Sequence, residues 1–171
     1  MKALSIQLPT EEALESLASD GFGHWLSGFV DGEGCFFFHP SPGSFAKPHF
    51  QLKLRDDDHR IIDECLTRTG IGYIRRNPRK DNSKPQVVWL VIRRDDCLRL
   101  TEIFDRFSLR AKKKNDYLIW RHAVILWQDK KRSGKGRGMG RGSIGYEISA
   151  EMAALKQELE TGRVYKPRTA A

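Results

Sequence analysis

Two carboxylates stand between glycines in the stretch Asp31-Gly32-Glu33-Gly34, directly after an apolar segment and directly before a run of aromatic residues. Glycine is among the least favourable residues inside a helix, and acidic side chains at a helix C-terminus lie where the helix dipole is negative. Carboxylates beside the free carbonyl oxygens of a helix end are, however, ligands that suit a divalent cation, whose binding turns their repulsion into coordination. Taken alone, the same four residues are also typical of a helix terminator followed by a turn.

The residues that precede these carboxylates have the spacing of a helix. Apolar residues recur at helical intervals over positions 25–30 and predict a helix from about residue 22 to residue 32. The small side chains of Ser27, Gly28 and Gly32 would let a second such helix approach backbone to backbone. Two copies packed about a twofold axis would then bring both acidic helix ends to one interface.

The rest of the chain alternates helices with hairpins. The predicted helices are 11–19, 22–32, 56–70, 95–107 and a stretch from about 114, and the predicted strands are 35–39, 49–55, 71–76 and 86–94. This order predicts an α+β fold of the type αββαββα, with an antiparallel sheet that has one covered and one open face. A basic, glycine-rich loop is expected over 133–143 and a last helix over 147–160. We expect one domain over 1–171, with its core at about 11–130.

Charge is distributed unevenly along the chain. Residues 1–34 hold one basic and six acidic residues, a net charge of −5, whereas residues 35–171 hold 29 basic and 16 acidic residues, a net charge of +13. A basic body of this kind favours a polyanionic partner, and nucleic acid is preferred over a membrane surface because no basic amphipathic helix is evident. No secretory signal is apparent, so we expect an intracellular protein. The three cysteines are widely separated and predict reduced core residues.

Residues 26–34, LSGFVDGEG, closely resemble the LAGLIDADG motif of homing endonucleases, with Glu33 in place of the motif's second aspartate. The order of helices and hairpins from residue 22 to about residue 125, including LRAKKKND at 109–116, is similar to that of single-motif members. The resemblance implies a homodimeric, Mg²⁺-dependent endonuclease that cuts both strands of a long, roughly palindromic DNA target, encoded in an intron or intein. Mn²⁺ or Ca²⁺ could occupy the same site, and neither a small-molecule cofactor nor a membrane is implied.

The resemblance also assigns roles to single residues. Glu33 matches the catalytic metal ligand, and Gly32 matches the residue that offers a backbone carbonyl to the metal. Asp31 matches an acid that secures the helix end. Lys112 matches the active-site lysine, and we favour that role over the alternative in which 112–114 form a solvated basic turn that grips the DNA backbone.

One position departs from the family pattern. Many members carry glutamine where this chain has Leu54, so Arg55 or Lys53 takes that role or the role is absent, and we list Arg55 as the catalytic candidate. The departure favours a second hypothesis, a non-cleaving nucleic-acid binder on the same fold, either an intron RNA maturase or a DNA-binding regulator. The intact Glu33 and Lys112 favour cleavage.

The remaining candidates are contact residues. Polar side chains on one face of an antiparallel sheet can contact base edges in the DNA major groove, although any half-exposed sheet shows polar residues at period two. The DNA-binding candidates are Phe37, His39, Ser41, Lys47, His49, Gln51, Lys53, Arg55, Arg75, Asn77, Gln86, Val88 and Lys113. The dimer-interface candidates are Leu26, Ser27, Gly28, Phe29 and Gly32.

Overall fold

The computed structural model describes residues 11–40, 45–78, 84–133 and 143–162. The elements follow the predicted order and form an α+β fold, as expected from the sequence. The helices are α1 (Glu11–Ser19), α2 (Phe22–Glu33), α3 (His59–Thr69), α4 (Arg94–Arg106), α5 (Lys113–Ser133) and α6 (Ser143–Thr161), and the strands are β1 (Gly34–His39), β2 (Lys47–Arg55), β3 (Tyr73–Asn77) and β4 (Gln86–Val91).

Two strand boundaries differ from the prediction for identifiable reasons. Strand β3 begins at Tyr73 and not at residue 71, because Gly72 has a φ of 77° and a Cβ atom there would lie 2.3 Å from the carbonyl oxygen of Leu90. Strand β4 ends at Val91, and the basic residues predicted to extend it instead open helix α4, whose first turn carries two aspartates. Acidic residues in a first turn favour the helix through its dipole.

The four strands form one antiparallel sheet in the order β1-β2-β4-β3. Side chains alternate between its faces, and Phe36, Phe50, Leu52 and Trp89 lie on the covered face, fully buried against the helices. The opposite face carries most of the polar strand residues. The predicted arrangement of one covered and one open face is therefore confirmed.

Helix α2 passes into strand β1 without an intervening loop. Leu26 and Val30 anchor the helix in the core with no exposed surface. Gly34 makes the direct passage possible, since a Cβ atom at this position would lie 2.6 Å from the Val30 side chain and 2.8 Å from its carbonyl oxygen. The acidic end of α2 is thus fixed at the edge of the sheet where β1 begins.

Helix α6 extends the structure beyond the predicted core. It begins at Ser143, earlier than the predicted residue 147, and packs against α5 and β1. Most of the predicted glycine-rich loop, residues 134–142, lies outside the described residues. No helix in the described part of the chain is both long and apolar enough to span a bilayer.

Candidate active site and nucleic-acid interface

One face of α2 is not covered by the rest of the described chain. Trp25, Gly28, Phe29 and Gly32 follow one another at intervals of three or four residues and therefore share this face. Trp25 is 42% exposed and stacks on Phe29, with ring centroids 5.1 Å apart. A Cβ atom built on Gly28 or Gly32 would meet no described atom within 4 Å. On the open face, two aromatic residues therefore alternate with two positions where the backbone carries no side chain.

This geometry corrects part of the predicted dimer interface. Leu26 faces the core of its own chain, and Ser27 is buried, with its hydroxyl donating hydrogen bonds to the carbonyl oxygens of Gly23 and Phe107. The prediction that these two side chains face a second copy is wrong, because α2 buries that side in its own domain. Sequence reasoning missed Trp25, which helical spacing from Gly28, Phe29 and Gly32 could have identified.

The two acids at the end of α2 have different surroundings. One carboxylate oxygen of Asp31 accepts a hydrogen bond from the backbone N–H of Arg110 at 2.7 Å, and the other is buried without a hydrogen-bond partner among the described atoms. Asp31 therefore holds the segment that enters α5 against the end of α2. Glu33 is exposed to solvent. The Lys113 ammonium donates a hydrogen bond to the carbonyl oxygen of Gly34, the residue after Glu33.

A single chain offers only part of a metal site at this point. One Asp31 oxygen is engaged by the Arg110 N–H, which leaves the other Asp31 oxygen, the Glu33 carboxylate and carbonyl oxygens at the end of the helix, where the resemblance implies a role for that of Gly32. Within the described residues, no group of three or more histidine, cysteine, aspartate or glutamate side chains could hold a metal. Hard divalent cations take six or more oxygen ligands. Because Mg²⁺ keeps several water ligands and binds through one or two carboxylates, these oxygen donors fit a divalent cation, and a second carboxylate from outside the chain would add to them.

The open face of the sheet brings together most of the predicted DNA-binding residues. Cross-strand pairing aligns Lys53 with Val88 and Val88 with Arg75, and it aligns Arg55 with Gln86 and Gln86 with Asn77. The residues that share this face are Cys35, Phe37, His39, Lys47, His49, Gln51, Lys53, Arg55, Tyr73, Arg75, Asn77, Gln86, Val88 and Leu90.

The residues on this face differ in how much of their surface is exposed to solvent. Val88 has no exposed surface and Leu90 is buried, so the prediction that Val88 contacts DNA is wrong in this conformation. Tyr73 was missed, although its period-two spacing to Arg75 indicates the same face, and it is 42% exposed. Ser41 lies outside the described residues.

His49 is the most enclosed polar residue of this face. Its ring stacks on His39, with centroids 5.2 Å apart, and meets Phe37 edge-on at 5.7 Å. Burial lowers the pKa of His49 to about 4, and the neighbouring charges of His39 and Lys47 act in the same direction. His49 is therefore neutral at pH 7. Because the residue is buried, only a small part of its ring could contact DNA.

The lowered pKa of His49 predicts a pH-dependent stability. Between pH 6.5, the ordinary pKa of histidine, and about pH 4, the unfolded chain binds a proton that the folded chain excludes, so stability present above this window is lost as the pH falls through it. We expect His49→Gln to reduce that loss by about 1–2 kcal/mol. Urea unfolding across the window measures it, with His24→Gln, at an exposed histidine of α2 that does not contact His49, as the control. Equal pH slopes for wild type and His49→Gln would contradict the assignment.

Comparison with known proteins places this geometry in a family. A family profile described as LAGLIDADG endonuclease matches residues 26–124, more than half of the chain. The chain belongs to the LAGLIDADG endonuclease family. A relative from Schizosaccharomyces pombe, "Probable intron-encoded endonuclease Cox1-I1b", is 31% identical over 112 residues, which cover 63% of this chain and 28% of the relative.

Solved LAGLIDADG structures share the fold. The homing endonuclease I-SmaMI bound to cleaved DNA has a TM-score of 0.65 and 23% identity, with 83% of this chain and 45% of that chain covered. The homing endonuclease I-TnaI has a TM-score of 0.63 and 19% identity, with 82% of this chain and 94% of that chain covered. This chain thus spans less than half of the Cox1-I1b relative and of I-SmaMI, but nearly all of I-TnaI.

The LAGLIDADG motif of this chain forms the second half of α2 and the first residue of β1. Of the lysines that follow Leu109, the one that reaches this motif is Lys113, through its bond to the Gly34 carbonyl oxygen, while the Lys112 side chain is exposed. Lys113 is therefore a second candidate, beside the predicted Lys112, for the lysine of the site. The sequence could not separate them, because their order along a turn does not fix which side chain points inward.

Leu54 occupies the position where many LAGLIDADG members carry glutamine. Leu54 packs partly buried against the core, on the covered face of the sheet. Arg55 forms an ion pair with Asp57 and lies about 10 Å along β2 from Leu52, the residue that pairs with Gly34. Lys53 is the first residue of β2 beyond that pair. Of these two cations, Lys53 therefore lies closer than Arg55 to the acidic end of α2.

Proposed function

We propose that this chain is a site-specific double-strand DNA endonuclease that acts as a homodimer with a divalent metal. The observation that carries the proposal is the open face of α2, which ends in the exposed Glu33. A helix that is bare at Gly28 and Gly32 can approach its symmetry mate closely, and the approach brings two Glu33 carboxylates to one axis. Those two acids would complete the partial metal site of each chain.

Each residue of the proposed site has a chemical task. A bound Mg²⁺, for which Mn²⁺ or Ca²⁺ could substitute, would supply Lewis acidity and an activated water for phosphodiester hydrolysis. Glu33 and the carbonyl oxygen of Gly32 would hold it. Lys113, or Lys53 across the strand pair, would offset negative charge that develops on the scissile phosphate. Asp31 would hold the Lys113 segment in place without touching the metal.

The sheet is the proposed DNA surface. Its open face has exposed cations at Lys53, Arg55 and Arg75, with Gln51 and Asn77 between them, and a strand pair of this kind can lie in the major groove. Arginine and lysine pair with guanine, and glutamine and asparagine pair with adenine. The DNA-bound structure of I-SmaMI and the intron-encoded relative support double-stranded DNA as the partner and an intron as the source. The intracellular location belongs to the same proposal.

A non-cleaving nucleic-acid binder is the second candidate, and Leu54 favours it. A leucine packed against the core cannot orient water, so a site that depended on that position would bind without cutting. Selection of cleaved sequences from a randomised duplex pool, with Mg²⁺ or with EDTA, separates the two. Mg²⁺-dependent double-strand cleavage at a selected site supports the endonuclease. A site that is bound at nanomolar concentration and never cut supports the binder.

The assignment of the lysine gives a direct test. We expect Lys113→Ala to lower the cleavage rate at saturating DNA by about 10²-fold, because it removes the cation beside Gly34. Lys112→Ala and Lys114→Ala remove the same charge from neighbouring exposed positions and should change the rate by less than about threefold. Single-turnover cleavage of the selected site measures all three. A larger loss in Lys112→Ala than in Lys113→Ala would return the role to Lys112.

A further inference from the structure

The buried side chains of the described chain form two separate clusters. The larger one lies under the centre of the sheet and includes α2, α3, α4 and part of α5. The smaller one joins α6 to the first hairpin, and its members are Phe38, Phe45, Ala123, Met152, Leu155 and Leu159. Helix α6 lies outside residues 26–124, the part that the family profile matches. Its packing against the hairpin is therefore a feature of this chain beyond the matched segment.

The hairpin end that α6 supports has little support from the sheet. Pairing between β2 and β4 begins at Phe50, so Lys47, Pro48 and His49 pair with β1 alone. A two-stranded hairpin is at best marginally stable in water without a packed face. Here the packed face is supplied by Phe38 and Phe45, the buried aromatic residues on either side of the turn.

The other face of the same hairpin end carries candidate DNA contacts. His39 and Lys47 form its last cross-strand pair, and His49 stacks on His39. Five residue steps separate His39 from Gly34, which is about 17 Å of extended strand. At about 3.4 Å per base pair, these side chains would lie about five base pairs from the acidic end of α2.

We propose that α6 is a positioning element for DNA recognition, which sets the outer end of the first hairpin against the base pairs farthest from the cleavage centre. This inference rests on the proposed function. Met152 has no exposed surface and Leu159 is nearly as buried, so both hold the helix against Phe38 and Phe45. The contact between His122 Nε2 and a carboxylate oxygen of Glu151, at 3.2 Å, adds a link from α5 to α6.

Hydrogen exchange of the free protein, measured without DNA, tests whether α6 stabilises the outer end of the first hairpin. We expect Met152→Ala to speed amide exchange at residues 36–39 and at Lys47 and His49 by at least about tenfold and to leave β4 within about twofold of wild type. Leu100→Ala, a similar truncation in the larger cluster on α4, is the matched control and should not single out the hairpin. Leu159→Ala is the milder variant if Met152→Ala does not fold. Unchanged hairpin exchange, or an equal rise along the whole chain in both variants, would overturn the inference.

The DNA sequence preference of cleavage tests whether α6 also affects target recognition. We expect Met152→Ala to lose about tenfold of its discrimination at base pairs five or more from the centre, while discrimination at the inner pairs stays as in wild type. The full chain and the randomised duplex pool give both profiles, with Leu100→Ala as the control. Even loss at all positions would overturn the positioning role. If wild type cuts no sequence, the proposed function fails, and hydrogen exchange alone still decides whether α6 supports the hairpin.

Discussion

Glu33→Gln is expected to lower double-strand cleavage by at least about 10³-fold while DNA affinity stays within about threefold of wild type. The substitution keeps the shape of the side chain and removes the charge that would hold a divalent cation at the end of α2. Because Glu33 is exposed, its loss should not unfold the chain. Cleavage of a labelled duplex in Mg²⁺ and fluorescence anisotropy in Ca²⁺ measure the two quantities.

The control for this variant is the same change at a distant site. Glu12 is an exposed glutamate of α1, so Glu12→Gln removes one negative charge without reaching the acidic end of α2. It should cut as wild type does. A Glu33→Gln enzyme that cuts at the wild-type rate would remove Glu33 from the site and with it the proposed metal. Loss of binding together with cleavage would instead indicate a structural role.

Gly28→Leu is expected to give a folded monomer that no longer makes double-strand cuts. Apart from the adjacent residues and the backbone of its own helix, no described atom lies within 4 Å of a Cβ atom at this position, so the leucine side chain starts in open space, and helix propensity improves by about 1 kcal/mol. Between two α2 helices the same side chain would hold the backbones apart. We expect the dimer dissociation constant to rise by at least about 100-fold, because the packed surfaces cannot interdigitate.

A second leucine separates this effect from simple surface hydrophobicity. Ala154 is an exposed residue of α6, and Ala154→Leu adds a comparable apolar side chain away from α2. It should remain dimeric and active. Sedimentation velocity reports the assembly state, and thermal unfolding reports whether the monomer is intact. A Gly28→Leu protein that is dimeric and cuts both strands would contradict close contact between α2 helices, as would a wild type that stays monomeric when bound to its site.

Local patterns were enough to predict the order of elements. Period-two alternation identified β2, apolar runs beside turn residues identified the other strands, and acid-rich starts identified α3 and α4, because these signals act over a few residues. The register then put Lys53, Arg75 and Gln86 on one face, as expected. The end of α2 was predicted to within one residue, because glycine has a low helix propensity.

Contacts between residues far apart in the sequence determine the features that local sequence patterns could not predict. Val88 has the right parity for the open face but is completely buried, with Lys53 and Arg75 opposite it on the two neighbouring strands. Lys113 reaches the Gly34 carbonyl oxygen, and Asp31 bonds the Arg110 N–H three residues earlier; both contacts join segments 79 residues apart. Leu26 was assigned to the interface from the motif as a whole, although the helical repeat separates it from Gly28.

The direct junction between α2 and β1 has a mechanical consequence. With no loop after Glu33, and with Gly34 packed against the turn before it, the chain has no slack between the helix that would meet its mate and the strand that would meet DNA. A shift of one must be transmitted to the other. Subunit assembly and target recognition in this protein should therefore be coupled, so that a defect in either appears in measurements of both.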